Sequence, residues 1–419
     1  MTGQGRLVLI EPRAAGHSPR VLAALATAAP GRAVAVVFGG TDCETATAVT
    51  RAGAWLVDRP VGPAARALWA AAWATGALAA AAIRTARACR LPRSARRVPH
   101  QVTLLARCLA EAAHLATARA VLAGERPGAV VVLTAGEALH HTAARLGRLP
   151  HLRFVHEVST VPARWLRRLD RPGGPAVRAL CPTGGVRADV AANAPHLDAR
   201  VRPFAVIGPD APVGAREREL ARTAFGIPPS EQSVALVGGW WPHKDIPTVA
   251  AALALVDRPL HLLVAGHPLD AGLLDRIRAL GHVRLHLIDR RAEETEIRAV
   301  HAAADLVLVS RHRGVAKESG LVTDAVRYQV PLLASDHDPQ LTRTLAGCGW
   351  ARLFTVGDPD DLLHALDAAH LNASRRPGPD DARALGLPTA HQQTAYLTDT
   401  YARLTGEGDP TRCPCPPRR

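Results

Sequence analysis

The chain has 419 residues, of which 48% are hydrophobic and only 4% aromatic, so its cores must be built from Leu, Val and Ala. A chain of this length is expected to hold two domains of ordinary size. The formal net charge of +14 at pH 7 favours an acidic partner. Because no aromatic residues interleave the arginine-rich stretch at 84–97, a nucleotide or an anionic membrane is favoured over nucleic acid.

The cysteines are scattered and have no metal-ligand spacing, which indicates free thiols in a reducing cytosol rather than a disulfide framework. There are seven of them: Cys43, Cys89, Cys108, Cys181, Cys348, Cys413 and Cys415. No secretory signal is visible, because Met1–Arg6 leads directly into a strand-like run. We therefore expect a cytoplasmic protein.

Short apolar, β-branched runs alternate with longer helical patterns, and the alternation occurs twice. Predicted strands of the first series are 7–10, 33–38, 55–57, 129–133, 152–155 and 201–207, with helices at 19–28, 102–122 and 138–146. Predicted strands of the second series are 234–237, 260–264, 283–287, 306–309, 331–334 and 351–354, with helices at 246–255, 273–280, 293–303 and 359–369. This order is typical of α/β proteins with parallel sheets and right-handed crossovers.

A stretch rich in Gly and Pro, residues 207–214, separates the two series. We predict an N-terminal doubly wound domain over 1–207, a linker with a short helix over 208–232, and a second doubly wound domain over 233–387. An amphipathic helix is predicted within 388–405 and a disordered tail over 406–419. Ligands of such sheets bind at the carboxyl ends of the strands, so a cleft is expected where two such sheets face each other.

Residues 64–83 form a nearly uncharged, Ala-rich segment that a basic stretch follows. That stretch contains Arg84, Arg87, Arg90, Arg93, Arg96 and Arg97. Three interpretations are open: a buried helix with a solvated basic end, a helix lying on an anionic membrane surface, and a membrane span. Ala is a weak driver of insertion, so the span is the least favoured.

Only two of the 51 basic residues are lysines, Lys244 and Lys317. A lysine that persists against this bias is expected to present a compact ammonium where a planar guanidinium does not fit. Lys244 follows a predicted strand and Gly239, and it precedes a predicted helix. Such loops bind phosphate through free N–H groups and the helix dipole. Trp240 and Trp241, in the same loop, either wall a pocket or pack between domains.

A second loop–helix–strand pattern contains Lys317, Glu318, Ser319 and Gly320. Ser319 and Gly320 are predicted at a helix N-terminus, where free N–H groups can bind phosphate. Glu318 can accept hydrogen bonds from sugar hydroxyls, and Asp324, one turn into the helix, can accept them from a ribose diol. Capping or a favourable dipole interaction is the alternative role for both acids.

In the first half, Gly16 lies in the loop after the first predicted strand, and His156 follows the strand at 152–155. Glycine permits close approach of the backbone to a ligand. Position at the carboxyl end of a strand favours a ligand-facing imidazole at His156, although His140 and His141 are competing candidates.

With these motifs in order, the sequence resembles the GT-B glycosyltransferases, in particular the large retaining family 4. The resemblance is strongest over 234–335 and extends over nearly the whole chain. It implies two Rossmann-like domains, the first on the acceptor side and the second binding a nucleotide-sugar donor, with a late helix that crosses back to the first. It implies catalytic roles for His156 and Glu318. It implies donor-binding roles for Gly16, Gly239, Lys244, Lys317, Ser319, Gly320, Leu321 and Asp324.

Three features depart from the family pattern. The arginine that normally joins the lysine on the diphosphate is replaced by Gly239 or Trp240. The two acids are more closely spaced than usual, and the second is Asp. Three cations are candidates to replace the missing arginine: Arg311, Arg313 and Lys317. Trp240, Trp241 and Arg313 are further candidates for the diphosphate pocket.

The resemblance implies transfer of a sugar from a nucleotide-diphosphate donor to an acceptor hydroxyl, with retention and with neither a metal nor a cofactor. The sequence does not identify the acceptor. A lipid-linked acceptor would place the protein on the inner face of the cell membrane. Two alternatives remain: a nucleotide-sugar 2-epimerase of the same fold, and a non-catalytic protein that binds nucleotides or membranes. A dinucleotide oxidoreductase is disfavoured, because no Gly-x-Gly-x-x-Gly follows the first strand.

Overall fold

The computed structural model describes residues 5–13, 18–38, 43–90, 92, 97–207, 212–315, 317–371 and 375–406. They form two compact units. Unit 1 comprises Met1–Val206 and Pro388–Arg419, and unit 2 comprises Ile207–Leu387. Each unit has its own parallel sheet.

The sheet of unit 1 has seven strands: β1 Arg6–Ile10, β2 Ala33–Val36, β3 Trp55–Val57, β4 Pro127–Val132, β5 His151–Phe154, β6 Val177–Cys181 and β7 Asp198–Val201. Their order is β3-β2-β1-β4-β5-β6-β7, and every pairing is parallel. The helices are α1 Ser18–Thr27, α2 Cys43–Arg51, α3 Pro63–Ala88, α4 Arg97–Leu122, α5 His140–Gly147, α6 Arg164–Leu169, α7 Gly184–Asn193 and α16 Ala390–Thr405.

The sheet of unit 2 has six strands: β8 Gln232–Val237, β9 Leu260–Ala265, β10 Val283–Ile288, β11 Leu306–Val309, β12 Leu332–Ser335 and β13 Ala351–Phe354. Their order is β10-β9-β8-β11-β12-β13, again entirely parallel. The helices are α8 Ala215–Ala224, α9 Ile246–Leu255, α10 Ala271–Arg278, α11 Glu294–Ala303, α12 Gly320–Arg327, α13 Pro339–Leu345, α14 Pro359–Leu371 and α15 Pro379–Ala384.

Both sheets are doubly wound, and each has one point where the strand order reverses. In unit 1 this switch lies between β1 and β4, and in unit 2 it lies between β8 and β11. The predicted α/β class with two doubly wound sheets is confirmed. In such sheets the crevice at the switch point is where ligands bind.

The prediction of a strand over 201–207 was wrong. The strand at this place, β7, ends at Val201. Pro203 lacks the N–H that a sheet ladder requires, so the chain leaves the sheet there, although Phe204 and Val206 remain buried in the core of unit 1. Strand β6 was not predicted, because Arg178 interrupts its short apolar run.

The last helix, α16, packs into the core of unit 1 through Leu397 and Tyr401. Gln393 fixes it to the end of the sheet. Its side-chain N–H donates to the backbone oxygen of Pro203 at 2.9 Å, and its Oε1 accepts from Nε of Arg202 at 2.6 Å. The chain therefore returns to unit 1 after unit 2 is complete.

Helix α3 covers the Ala-rich segment and lies antiparallel against α4. A Cβ on Gly62 would lie 3.9 Å from that of Ala120, and one on Gly76 would lie 3.8 Å from that of Ala106. Only every seventh residue of α3 is buried: Ala65, Ala72, Ala79 and Ala86. This seam of small side chains lets the two helices approach closely along their length.

Most of the remaining surface of α3 is exposed, with Trp73 at 73% and Leu78 at 71% of full exposure, whereas Leu68 and Trp69 pack against the core of unit 1. The interpretation of the segment as a buried helix was therefore wrong. Among the described helices, α3 alone has the length and apolar composition that a membrane span needs.

Candidate anion site at the switch point of unit 2

The loop after β8 turns Lys244 back towards the end of its own strand. Gly238 adopts a positive φ of 84°, and a Cβ on Gly239 would lie 2.4 Å from the backbone oxygen of His267, so both positions require glycine. Nζ of Lys244 donates to the backbone oxygens of Val237 at 2.8 Å and Gly238 at 3.0 Å. The ammonium therefore lies at the carboxyl end of β8.

Helix α9 starts directly after Lys244. Asp245 is its N-cap, and the carboxylate accepts hydrogen bonds from the backbone N–H and the hydroxyl of Thr248 at 3.3 and 2.7 Å. The cap fixes the loop between strand and helix, and with it the place of the ammonium.

Arg311 lies beside Lys244, although the two are 67 positions apart in sequence. The backbones of Lys244 and Arg311 form an antiparallel bridge, and the N–H of His312 donates to the oxygen of His243 at 3.1 Å. Arg311 is buried, and its Nη1 donates to the backbone oxygen of Lys317 at 2.8 Å. The loops that follow β8 and β11 are thus joined where the strand order reverses.

The clustered positive charge disturbs the titration of Lys244. Burial of the ammonium, with the charges of Arg311 and Lys317 adding to it, lowers the pKa of Lys244 to about 7. An anion placed here would remove the repulsion among the cations. The electrostatics therefore favour a negatively charged ligand.

Helix α12 adds backbone N–H groups on the same side of the sheet. Ser319 is its N-cap and Gly320 its first residue, so the free N–H groups of the first turn begin there. Glu318 and Lys317 are partly exposed, and Leu321 is buried. Asp324 is only 2% exposed, so its carboxylate is enclosed by the helix and its surroundings.

The two tryptophans of the Lys244 loop differ in environment. Trp240 is buried in the core of unit 2 beside β8, whereas Trp241 is half exposed. The ring of Trp240 packs within unit 2, and its role as a wall of the diphosphate pocket stays a prediction. Arg313 is exposed, and its Nη2 lies 3.8 Å from Oδ1 of Asp336.

The switch point of unit 1 differs in carrying acids beside arginines. Glu11, directly after β1, is buried, and its Oε1 accepts from the hydroxyl of Thr134 and from the N–H of Arg13 at 2.8 Å. Glu137, after β4, accepts from Nη1 of Arg107 at 2.9 Å. Sequence reasoning did not single out these acids, although acids directly after predicted strands were a usable signal.

His156 follows β5, as its place in the sequence indicated. Its Nε2 lies 2.8 Å from the backbone oxygen of Leu133, and its ring packs edge-on against Phe204 at a centroid distance of 4.4 Å. Because a carbonyl only accepts, Nε2 carries a proton in this contact. Gly16 lies outside the described residues.

Within the described part of the chain, no three His, Cys, Asp or Glu side chains come together in a metal-binding arrangement. The cysteines whose side chains the structure describes are free thiols: Cys89, Cys108, Cys181 and Cys348.

Comparison with known proteins gives no match to any family model and none to any curated protein sequence. Solved structures do match along nearly the whole chain. Alr3699/HepE of Anabaena, in complex with UDP and glucose, aligns with a TM-score of 0.55 at 13% identity, over 96% of this chain and 97% of that one. A glycosyltransferase of Rickettsia africae aligns with a TM-score of 0.56 at 10% identity, over 96% and 94%.

The third match is the sucrose-phosphate synthase of Thermosynechococcus elongatus, with a TM-score of 0.52 at 14% identity over 96% of this chain and 98% of that one. The fold is that of the GT-B glycosyltransferases. At identities this low the similarity establishes the fold, and the chemistry must be argued from the site itself.

Proposed function

We propose that the protein is a glycosyltransferase that moves a sugar from a nucleotide-diphosphate donor to an acceptor hydroxyl. The observation that carries this proposal is the pair of cations at the β8/β11 switch point, Lys244 and Arg311, next to the N-terminus of α12. A diphosphate is the ligand that suits two adjacent cations and a row of backbone N–H groups. The structurally similar HepE, which was solved with UDP and with UDP-glucose, supports this ligand class.

Arg311 is the residue we propose in place of the arginine that the family pattern lacks. It is buried beside Lys244, whereas Arg313 is exposed and lies near Asp336. Its guanidinium also donates to the oxygen of Lys317, so it positions the loop that leads into α12. One side chain thus adds charge and orders the N–H groups of that helix.

We propose retention of configuration without a metal ion, as the family resemblance implies. The acceptor hydroxyl attacks the anomeric carbon from the side that the diphosphate leaves, and a β-phosphate oxygen takes the proton of the hydroxyl. Lys244, Arg311 and the first N–H groups of α12 stabilise the charge that develops on the leaving diphosphate. The remaining donor-contact candidates are Gly16, Gly239, Lys317, Ser319, Gly320 and Leu321.

We propose that His156 and Glu318 supply the polar contacts to the sugar of the donor. The Nε2 proton of His156 can donate to a sugar oxygen if the contact with Leu133 is exchanged for the substrate. Glu318 is partly exposed immediately before α12, where its carboxylate can accept from sugar hydroxyls.

Product analysis with a nucleotide sugar tests the proposal. Purified protein is incubated with UDP-, GDP- or dTDP-sugars and candidate acceptors, and the products are resolved by mass spectrometry and NMR. Free nucleotide together with an α-linked glycoside from an α-linked donor supports retaining transfer. An epimerised donor without an acceptor product would identify a 2-epimerase. Donor binding without turnover for any acceptor would favour a non-catalytic protein.

The substitutions Glu318→Gln and Asp324→Asn are expected to separate catalysis from folding. Glu318→Gln removes a charge from a partly exposed side chain, so we expect turnover to fall at least tenfold with little change in melting temperature. Asp324→Asn is expected to raise the apparent KM for donor if the carboxylate reaches the ribose. Because Asp324 is buried, a fall in melting temperature with unchanged KM would instead establish a structural role.

We further propose that unit 1 docks on an anionic phospholipid bilayer through the exposed face of α3. At 3.6 residues per turn, Trp73 and Leu78 lie about 100° from the buried alanine seam on opposite sides of it, so they border the exposed face of α3. Arg66 lies on this face near one end, and Arg84 and Arg87 lie near the other. An apolar face bounded by arginines complements an interface of acyl chains and anionic head groups.

Vesicle sedimentation tests this docking. We expect binding to vesicles with anionic lipid, none to neutral vesicles, and release by high salt. Each arginine near the surface contributes on the order of 1 kcal/mol, so replacing four should weaken binding at least tenfold. The variant replaces Arg66, Arg84, Arg87 and Arg90 by Gln. Arg93 and Arg96, part of the same basic stretch, lie outside the described residues.

The control removes four exposed arginines away from α3, Arg187, Arg216, Arg276 and Arg343, and therefore has the same net charge. Equal loss of binding in the two variants would show that only net charge matters and would contradict docking through α3. Trp73→Ala is expected to weaken binding without changing its salt dependence. A concentration-dependent dimer in the absence of vesicles would assign the exposed face to a second copy of the chain.

A further inference from the structure

A second basic cluster lies in unit 1, on and directly after the short helix α6. Its members are Arg164, Arg167, Arg168 and Arg171. All four side chains are exposed, and within the described part of the chain none of the four guanidinium groups forms an ion pair or hydrogen bond. Arg178 of the same unit, by contrast, pairs with Asp198 at 2.7 Å. Four unpaired guanidinium groups close together repel one another and favour an anion.

The four arginines line one cavity of about 560 Å³, together with Asp170, Pro172 and His196. A ligand of small-molecule size fits in this volume. A second cavity of about 200 Å³ adjoins the first and shares Arg167, Asp170 and His196 with it. The basic residues therefore line one open depression of the surface.

The one acid in the cavity, Asp170, is already engaged. Its Oδ2 accepts from the N–H of His140 and its Oδ1 from the N–H of Thr142, both at 2.9 Å. These N–H groups belong to the first turn of α5, so a helix N-terminus offsets the negative charge of the carboxylate. Among the described residues, no acid therefore forms an ion pair with any of the four arginines.

Helix α6 is held against the start of α4, next to the arginine-bearing end of α3. The side-chain N–H of Gln101 donates to the oxygen of Val161 at 3.1 Å, and Oε1 of Gln101 accepts from the N–H of Ala163 at 2.7 Å. Two large apolar side chains of α6, Trp165 at 45% and Leu169 at 49%, are exposed beside the cluster.

We propose that this arginine pocket, formed around α6, binds a phosphate group and is an anion site separate from the one in unit 2. A phosphomonoester carries up to two charges and three terminal oxygens, so it can accept forked hydrogen bonds from several guanidinium groups at once. A carboxylate carries one charge and satisfies a single fork, which fits four arginines less well. The phosphate can belong to a soluble ester or to a lipid head group.

Titration calorimetry at low salt, with saturating UDP to occupy the site in unit 2, tests a soluble ligand. The probes are inorganic phosphate and glycerol 3-phosphate. We expect the double variant Arg167→Gln/Arg168→Gln, the α6 variant, to have a Kd at least tenfold higher than that of the wild type. Each lost charge-assisted contact has an effect of about that size. The control, Arg119→Gln/Arg187→Gln, has the same charge and should leave the Kd unchanged.

A second arm uses vesicles containing phosphatidate or, at equal surface charge, phosphatidylserine. A preference for phosphatidate that only the α6 variant loses would identify a lipid phosphomonoester as the ligand. Equal Kd values for the α6 variant and the control would overturn the proposal. It would also be overturned if the wild type bound neither soluble probe and did not distinguish the two lipids. If the α6 variant still binds UDP, the site in unit 2 is intact. The result for the arginine pocket is then independent of whether the proposed glycosyltransferase activity is found.

Discussion

Replacing Lys244 with alanine is expected to weaken binding of a nucleotide-diphosphate sugar by about ten- to a hundredfold. One charge-assisted contact to a diphosphate contributes roughly 1.5–3 kcal/mol, and this sets the range. The loop should survive the change, because Asp245 still caps α9 and Gly238 and Gly239 still form the turn. Titration calorimetry with UDP-glucose measures the effect, and Arg276→Ala, an exposed cation on α10, is the control.

Lys244→Arg should restore only part of the affinity. Nζ of Lys244 lies between two backbone oxygens at 2.8 and 3.0 Å, a setting that suits a compact ammonium. The space is narrow, since a Cβ on Gly238 would lie 3.2 Å from Nζ. A planar guanidinium is larger and must point elsewhere. Full affinity in the arginine variant would contradict the argument from the scarcity of lysine.

Donor affinity is expected to fall by about thirtyfold between pH 6 and pH 8.5. Burial and the neighbouring cations lower the pKa of Lys244 to about 7 in the free protein, so the side chain is largely a neutral amine at the higher pH. A bound diphosphate favours the charged form, and above pH 7 binding must therefore include proton uptake. Affinity then falls by about a factor of ten per pH unit. Calorimetry in buffers of different ionisation enthalpy measures both quantities.

Lys244→Arg is the control for this pH dependence, because a guanidinium stays charged throughout the range. Its affinity should be nearly constant from pH 6 to 8.5, and a slope equal to that of the wild type would assign the titration to another group. The lowered pKa also affects folding. Between about 7 and the ordinary lysine value, the unfolded chain binds the extra proton, so this group makes the free energy of unfolding rise with pH.

The sequence predicted the alternation of strands and helices well where the strands are buried apolar runs. All six strands of unit 2 were located to within two residues at each end, because every one of them begins or ends beside a turn or helix signal. Strand β6 was not predicted, and the strand placed at 201–207 was wrong. In both places charged residues or prolines break the apolar pattern, and only the neighbouring strands establish which segment joins the sheet.

The candidate site was predictable where it depends on local sequence. Lys244 at a strand–helix loop and Ser319 as N-cap of α12 both lie where the motifs indicated. The partnership of Lys244 with Arg311 was not predictable, since three cations competed for this role. It depends on a bridge between two loops that topology places side by side. The burial of Asp324 likewise depends on packing around α12 that a helical pattern does not reveal.

The alanine seam between α3 and α4 has a consequence for local stability. A buried methyl group contributes little apolar area, at roughly 25 cal/mol per Å², so the four seam residues anchor α3 weakly beyond Trp69, the last of its large side chains that pack against the core of unit 1. The free energy needed to open the part of α3 after Trp69 should therefore be well below that of the core strands, where Val and Leu side chains are fully buried. Amide protons of α3 would then exchange with solvent through a sub-global opening that leaves the sheet of unit 1 intact.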